Sequence, residues 1–252
     1  MDLGFGGRHV VVTGGTGALG TAVCGLLLEA GALVHVPVFE PKELARFAHR
    51  SHDRVRVVEG VDLRDATSVE RFYSHFGASP GHERLWASIH IAGGFAMGAI
   101  SEFDAKAARD MMEMNAMTCY LCCREAVRAM RKTEAARNPA EAASRDGGRI
   151  VNVAARPGIA WDQGANMVAY AASKAAVAAM TTALAVEVAP HDIWVNAVAP
   201  SIMDTRANRK AMPDADHAAW PKVDEVAATI AFLASAANRA TRGGVVPVYG
   251  SM

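Results

Sequence analysis

Tyr170 and Lys174 lie four residues apart in AYAASKAAV, residues 169–177, and their types suggest proton chemistry. On a helix both would fall on one side. A free tyrosine titrates at about 10, too high for ready proton exchange at neutral pH. A neighbouring ammonium favours the phenolate and lowers that value. At ~4 Å and an effective dielectric of ~20 the attraction is about 4 kcal/mol before desolvation. Tyr170 could then act as general acid or base near neutrality, and Lys174 could also hold a cofactor ribose. A solvated Tyr–Lys surface pair would do neither, so this spacing alone does not decide.

A second constellation is TGGTGALG at residues 13–20, which directly follows the apolar run HVVVT. Gly14, Gly15, Gly17 and Gly20 allow positive φ and close approach of a pyrophosphate. The backbone N–H groups of a helix opening around Thr16, Ala18 and Leu19 would bind its oxygens. A strand, a tight turn and a helix start in this order predict dinucleotide binding, not an ordinary βα turn. The choice between NAD and NADP stays open. An acid at the tip of the second strand would grip the ribose 2′-OH. Val38 stands there, with Glu40 two residues on and Lys42 and Arg46 nearby to meet a phosphate instead. Asp62 is placed to accept from the adenine amino group, to cap a helix, or both, with Leu63 beside it.

These residues need a scaffold. Strand signals fall at 9–13, 33–38, 55–60, 85–92, 149–154, 194–199 and 245–248, separated by amphipathic helical stretches, notably 103–131, 168–188 and 223–234. Continuous apolar strands fit a parallel sheet covered on both faces, and strict alternation means βαβ units. The expected fold is α/β: one doubly wound Rossmann-type domain, 1–252, with a parallel seven-stranded sheet and helices on both faces. The charged segment 131–148 reads as a solvated helix extension and loop. Lys plus Arg, 26, equals Asp plus Glu, 26, so the charge balance recruits neither nucleic acid nor an anionic membrane. Apolar stretches fall short of the roughly 20 residues of a membrane span, and residues 1–7 do not resemble an export signal, which makes the cytoplasm the expected location. Cys119 and Cys122 form a nominal C-x-x-C. Their apolar helical surroundings point to buried small side chains, with no metal expected.

Over nearly its whole length the chain resembles the short-chain dehydrogenase/reductase family. The matching pieces are TGGTGALG, VDL at 61–63, IAGG at 91–94, Asn115, RIVNVA at 149–154, YAASK at 170–174 and VNAVAP at 195–200, with Thr205 beyond. The resemblance implies hydride transfer between NAD or NADP and a carbonyl or alcohol. It implies that Tyr170 is the acid/base, that Lys174 orients the ribose and that Asn115 holds a relay water. It further implies cofactor contacts at Ala92, Gly93, Gly94, Pro200, Ile202 and Thr205. Helices 103–131 and 168–188 would pair between subunits in a homodimer or homotetramer.

Several positions depart from that pattern. The family serine at the end of strand five corresponds to Ala155, and the spacing to Tyr170 is about two residues longer than usual. Losing such a donor costs a few kcal/mol of transition-state stabilisation. His90 and Ile91 replace the usual Asn pair; a satisfied core histidine is expected at His90. Ser201 replaces a glycine and could supply a relocated hydroxyl. The stretch 204–220 and AGGFA at 92–96 resemble dihydropteridine reductases, which lack the serine too and reduce a quinonoid dihydropterin. Phe95, Trp161, Met203 and Trp220, with Met97, Arg156 and Met167, are expected around a substrate cleft beside Ala155, and 201–220 as its lid. Three functions compete: reduction of a conjugated ring, carbonyl or alcohol chemistry with a relocated donor, and non-catalytic dinucleotide sensing.

Overall fold

Seven short apolar runs become strands, and each helix between them returns the chain in the same direction. In the computed structural model, which describes residues 2–77, 83–134 and 147–251, the strands are β1 His9–Thr13, β2 Leu33–Val38, β3 Val55–Glu59, β4 Leu85–His90, β5 Gly148–Val153, β6 Ile193–Pro200 and β7 Val245–Val248. All pairings are parallel, in the order β3-β2-β1-β4-β5-β6-β7. Every residue of β4, β5 and β6 is buried, as a sheet covered on both faces requires. The expected α/β architecture and strand count are observed, with strand ends shifted by one or two residues.

Helices α1 (Ala18–Glu29) and α7 (Val223–Ala234) share a core with one face. Helices α2 (Ala66–Tyr73), α4 (Thr118–Glu134) and α5 (Val168–Glu187) share a core with the other. Strand order reverses between β1 and β4, which opens a crevice beyond their carboxyl ends, where ligands of such sheets sit.

The helix expected over 103–131 is in three pieces: α3 (Ala105–Met111), a π-helical turn (Met112–Met117) and α4. The interruption falls at Asn115, whose side chain turns to bond a loop across the crevice. Helix α5 has 20 residues and is, by length and composition, apolar enough to span a membrane, so the apolar stretches do not all fall short. Its buried residues include Ser173, Lys174 and Thr181, turned toward the sheet and the crevice. Helix α4 continues the charged segment to Glu134; residues 135–146 of that segment lie outside the described residues. The short helix α6 (Arg206–Ala211) lies in the stretch expected to be a lid. That stretch is tied down by an Asp204–Arg209 ion pair at 2.5 and 2.7 Å and a bridge from Asp204 to Lys222.

Candidate active site

The glycine turn between β1 and α1 is shaped by close backbone approach. Gly14 has φ +67°, and a Cβ there would lie 2.8 Å from the Ala92 nitrogen. A Cβ on Gly20 would overlap the Gly14 carbonyl. Gly17 is the N-cap of α1 and has no side chain to spend on the first-turn N–H groups of Ala18, Leu19 and Gly20. That uncapped helix start fits a diphosphate. Thr16 lies on the same turn, and its hydroxyl donates to Glu43 Oε2 at 2.9 Å. Nothing in the local sequence marks Glu43. It sits in the 3-10 turn Pro41–Arg46, three residues past Glu40. Glu40 itself is half-buried and paired with Lys42.

Thr13 fastens the facing loop: its Oγ1 accepts from Ile91 N and Ala92 N, both at 3.2 Å. Gly93 and Gly94 follow. Asn115 Oδ1 accepts from Gly94 N at 2.9 Å, while Nδ2 donates to Gly94 O at 3.1 Å and to Ser173 Oγ at 3.0 Å. Ser173 in turn donates to the Tyr170 carbonyl at 2.7 Å. Asn115 and Ser173 thus clamp the loop to α5 at the level of Tyr170. Both Asn115 amide hydrogens are committed to Gly94 O and Ser173 Oγ, so a relay water at this residue would have to donate to one of its oxygens. Ser173 was visible inside YAASK, yet nothing in a lone serine signals this link.

Tyr170 and Lys174 share one side of α5, as their spacing predicts, but their direct coupling is not what the structure places first. Lys174 is buried, its Nζ donates to Val153 O at 2.8 Å, and a Cβ on Gly93 would come 3.4 Å from it. Burial lowers its ammonium to about 8. Burial pushes the Tyr170 hydroxyl up to about 12. The expected lowering by the ammonium is therefore overturned in this arrangement: the Val153 carbonyl holds the amine, and desolvation of the phenol prevails. The Phe95 ring meets Tyr170 edge-on, with centroids 4.9 Å apart.

Beside them, Ala155 is buried just beyond β5 and carries only a methyl group. The hydroxyl suggested from Ser201 is spent elsewhere, donating to Tyr249 O at 3.1 Å. Arg156 follows Ala155; its guanidinium lies 5.0 Å from the Tyr249 ring, and its Nε is buried without a hydrogen-bond partner. Phe95, Met97 and Trp161 are exposed apolar side chains. Trp220 is a correction: it is 6% exposed and pairs with His217 at 4.6 Å, which leaves a substrate almost no surface to touch. Met203 packs partly against the core of the α1–α7 face.

The remaining cofactor candidates divide similarly. Pro200 ends β6 and is buried, Ile202 is exposed, and Leu63 packs against the core of the α2 face. Asp62 is not a helix cap. It makes a two-pronged ion pair with Arg64 at 3.1 and 3.0 Å, while Asp65 caps α2 by accepting from Ser68 N. Thr205 caps α6 through Asn208 N at 3.1 Å. A groove of about 660 Å³ between α1, α6 and α7 touches Ala18 and Thr205 but none of the Tyr170 group.

His90 is the satisfied core residue expected. Thr181 donates to Val177 O at 2.8 Å and so accepts from Asn152 Nδ2 at 2.9 Å. Asn152 Oδ1 therefore accepts from His90 Nδ1 at 2.8 Å, leaving Nε2 to accept from Ser88 at 2.8 Å. Cys119, Cys122 and Cys123 are buried free thiols.

Known proteins resemble this chain over nearly its whole length. The sequence profile of the short chain dehydrogenases matches residues 8–216. The chain is 27% identical over 256 residues to the rhamnolipids biosynthesis 3-oxoacyl-[acyl-carrier-protein] reductase of Pseudomonas aeruginosa, covering 97% of this chain and 95% of that one. It is 32% identical over 262 residues to the cis-4-hydroxycyclohexanecarboxylate dehydrogenase of Sinomonas cyclohexanicum, covering 99% and 98%. A crystal structure of a short chain dehydrogenase from Mycobacterium smegmatis superposes with a TM-score of 0.79 at 26% identity, over 98% of this chain and 93% of that one. With its glycine turn, its YAASK helix and these relatives, the chain belongs to the short-chain dehydrogenase/reductase family of NAD(P)-dependent oxidoreductases.

Proposed function

We propose that the chain reduces a small, planar, electron-poor substrate, of which a quinonoid dihydropterin is representative, with Tyr170 as proton donor. The observation that carries this reading is the missing donor: Ala155 offers a methyl group where the family pattern has a serine, and the Ser201 hydroxyl bonds Tyr249 O. A ketone needs its oxygen polarised. A conjugated quinonoid ring accepts hydride readily without that help. The exposed Phe95, beside Tyr170, suits a flat ring.

The bound nicotinamide supplies the hydride. The uncapped start of α1 would hold its diphosphate, and Lys174, facing Gly93, its ribose. Tyr170 gives its proton to the substrate heteroatom; at neutral pH burial keeps that proton in place. Asn115 and Ser173 fix α5 against the Gly94 loop, so that Tyr170 is positioned before substrate arrives. Glu43 on Thr16 puts negative charge beside the phosphate-binding turn, which favours NADH over NADPH with its added phosphate.

Ala155→Ser tests the substrate class. Restoring the donor should raise ketone reduction, by up to about 10²–10³-fold, and leave quinonoid dihydropterin reduction within roughly twofold. An equal effect on both, or none on ketones, would contradict the reading.

A second reading, dehydrogenation of a hydroxylated carboxylic acid, is favoured by Arg156. Its buried unpartnered Nε next to Ala155 could anchor a carboxylate, and one relative is named for such a substrate. Oxidation of cis-4-hydroxycyclohexanecarboxylate, lost in Arg156→Leu, would establish it over the first.

The chain also acts as a homodimer or homotetramer in this reading, paired through α4 and α5, where Tyr120, Val168 and Val186 are exposed, with Met117 of the preceding π-turn exposed beside them. Light scattering at the monomer mass of 26.6 kDa would refute this.

A further inference from the structure

We propose that His9, His35 and Glu83 form a zinc-binding site at the amino-terminal end of the sheet, on the far side of the molecule from the Tyr170 crevice. Side chains of register partners point to the same face of a parallel sheet, as do residues two apart on one strand. His9 at the start of β1 is in register with Leu33, so His35, two residues on in β2, shares its face; it is also in register with Leu85, the start of β4, and Glu83 lies two residues before that strand, on its approach. There three donor atoms converge. His9 Nδ1 lies 2.9 Å from His35 Nε2 and 3.1 Å from Glu83 Oε2, and His35 Nε2 lies 3.4 Å from the same oxygen.

This triangle is hard to satisfy with protons. Both nitrogens face each other at hydrogen-bond distance and also face one carboxylate oxygen, and no single proton can bridge three contacts. A cation at the centre serves all three. Zinc takes nitrogen and carboxylate oxygen at about 2.0–2.2 Å in a tetrahedron, which sets neighbouring ligand atoms about 3.3–3.5 Å apart. The observed triangle needs to open by only a few tenths of an ångström on its shortest side.

The surroundings fit as well. His9 and Glu83 side chains are 17% and 22% exposed, so an ion can enter and a water can complete the fourth position. Arg56 bonds the other carboxylate oxygen, Oε1, and so fixes Oε2 toward the imidazoles. His35 stands edge-on to Phe76 at 4.9 Å, which sets its ring plane. Burial and Arg56 both hold the two imidazoles below their ordinary range, and neutral imidazole is the ligating form. The other grouping of possible metal ligands among the described residues, His90 with Cys119 and Cys123, is fully buried, and both imidazole nitrogens of its histidine are already committed. Sequence spacing hides the site, since its members come from two strands and the approach to a third.

Chelator-stripped full-length protein, titrated with Zn²⁺ against a chromophoric chelator, tests this. One equivalent should bind at micromolar Zn²⁺, and at a hundredfold excess over Kd the thermal midpoint should rise by roughly 5–10 °C. His9→Gln and Glu83→Gln should each weaken binding at least tenfold and abolish the shift, with metal-free turnover unchanged. The Cys119→Ser, Cys123→Ser double variant should bind as the unaltered chain does. No binding by the unaltered chain, binding that survives both single substitutions, or binding lost with the cysteines would overturn the proposal.

Discussion

Lys174 is held by a strand-end carbonyl and faces Gly93, and its burial makes its charge titratable within reach of assay. In the proposed reaction Tyr170 must be protonated, which holds up to about pH 12, and Lys174 charged, which holds below about pH 8. As pH rises, the lysine proton is therefore lost first. kcat/KM for reduction should be level below about pH 8 and fall above it. In Lys174→Arg the falling limb should move beyond that range, because a guanidinium stays charged. A limb that stays in place in this variant would assign the titration to another group. Tyr170, Lys174 and the glycines were legible as residues because their spacing carries a chemical reason. Glu43 and Ser173 were not: each acts through one hydrogen bond to a partner that only the fold brings near.

At the scale of elements, the π-turn at residues 112–117 puts Asn115 into the crevice, and its three bonds join the Gly94 loop to α5. Asn115→Ala should leave the Gly94 N–H and C=O without these partners and cost about 1–3 kcal/mol in denaturant unfolding, with a larger loss of kcat than of cofactor affinity. A stability change under about 0.5 kcal/mol would mean that the clamp bears no strain of this kind. The strands were readable because residues buried on both faces leave an unbroken apolar run. The split of helix 103–131 was not, since its apolar period continues through the turn and the cause lies across the crevice. Asp62 and Asp65 are equally good caps by type; the ion pair with Arg64 withdraws the first. Trp220 was placed by its position after β6, but the 3-10 turn before it sets the ring against His217, three residues back, and a lone tryptophan does not signal that local turn.

On the scale of the whole molecule, a parallel sheet has two unlike ends. The carboxyl end gathers the glycine turn, the Gly93 loop, Tyr170, Lys174 and Ala155. The amino end gathers His9, His35 and Glu83, so metal there would brace β1, β2 and the approach to β4 without touching the reacting atoms. The family fold says where chemistry happens, and the residues at the carboxyl end say which kind. The most direct test of that kind is the loss of NADH or NADPH absorbance, each run separately, with quinonoid dihydropterin and with a panel of small ketones. Dihydropterin turnover should be fast and prefer NADH. Tyr170→Phe should reduce it by about 10²–10⁴-fold while NADH affinity stays within roughly twofold. Turnover of dihydropterin that persists in Tyr170→Phe would contradict the assignment of the proton donor, and turnover confined to ketones would contradict the substrate class.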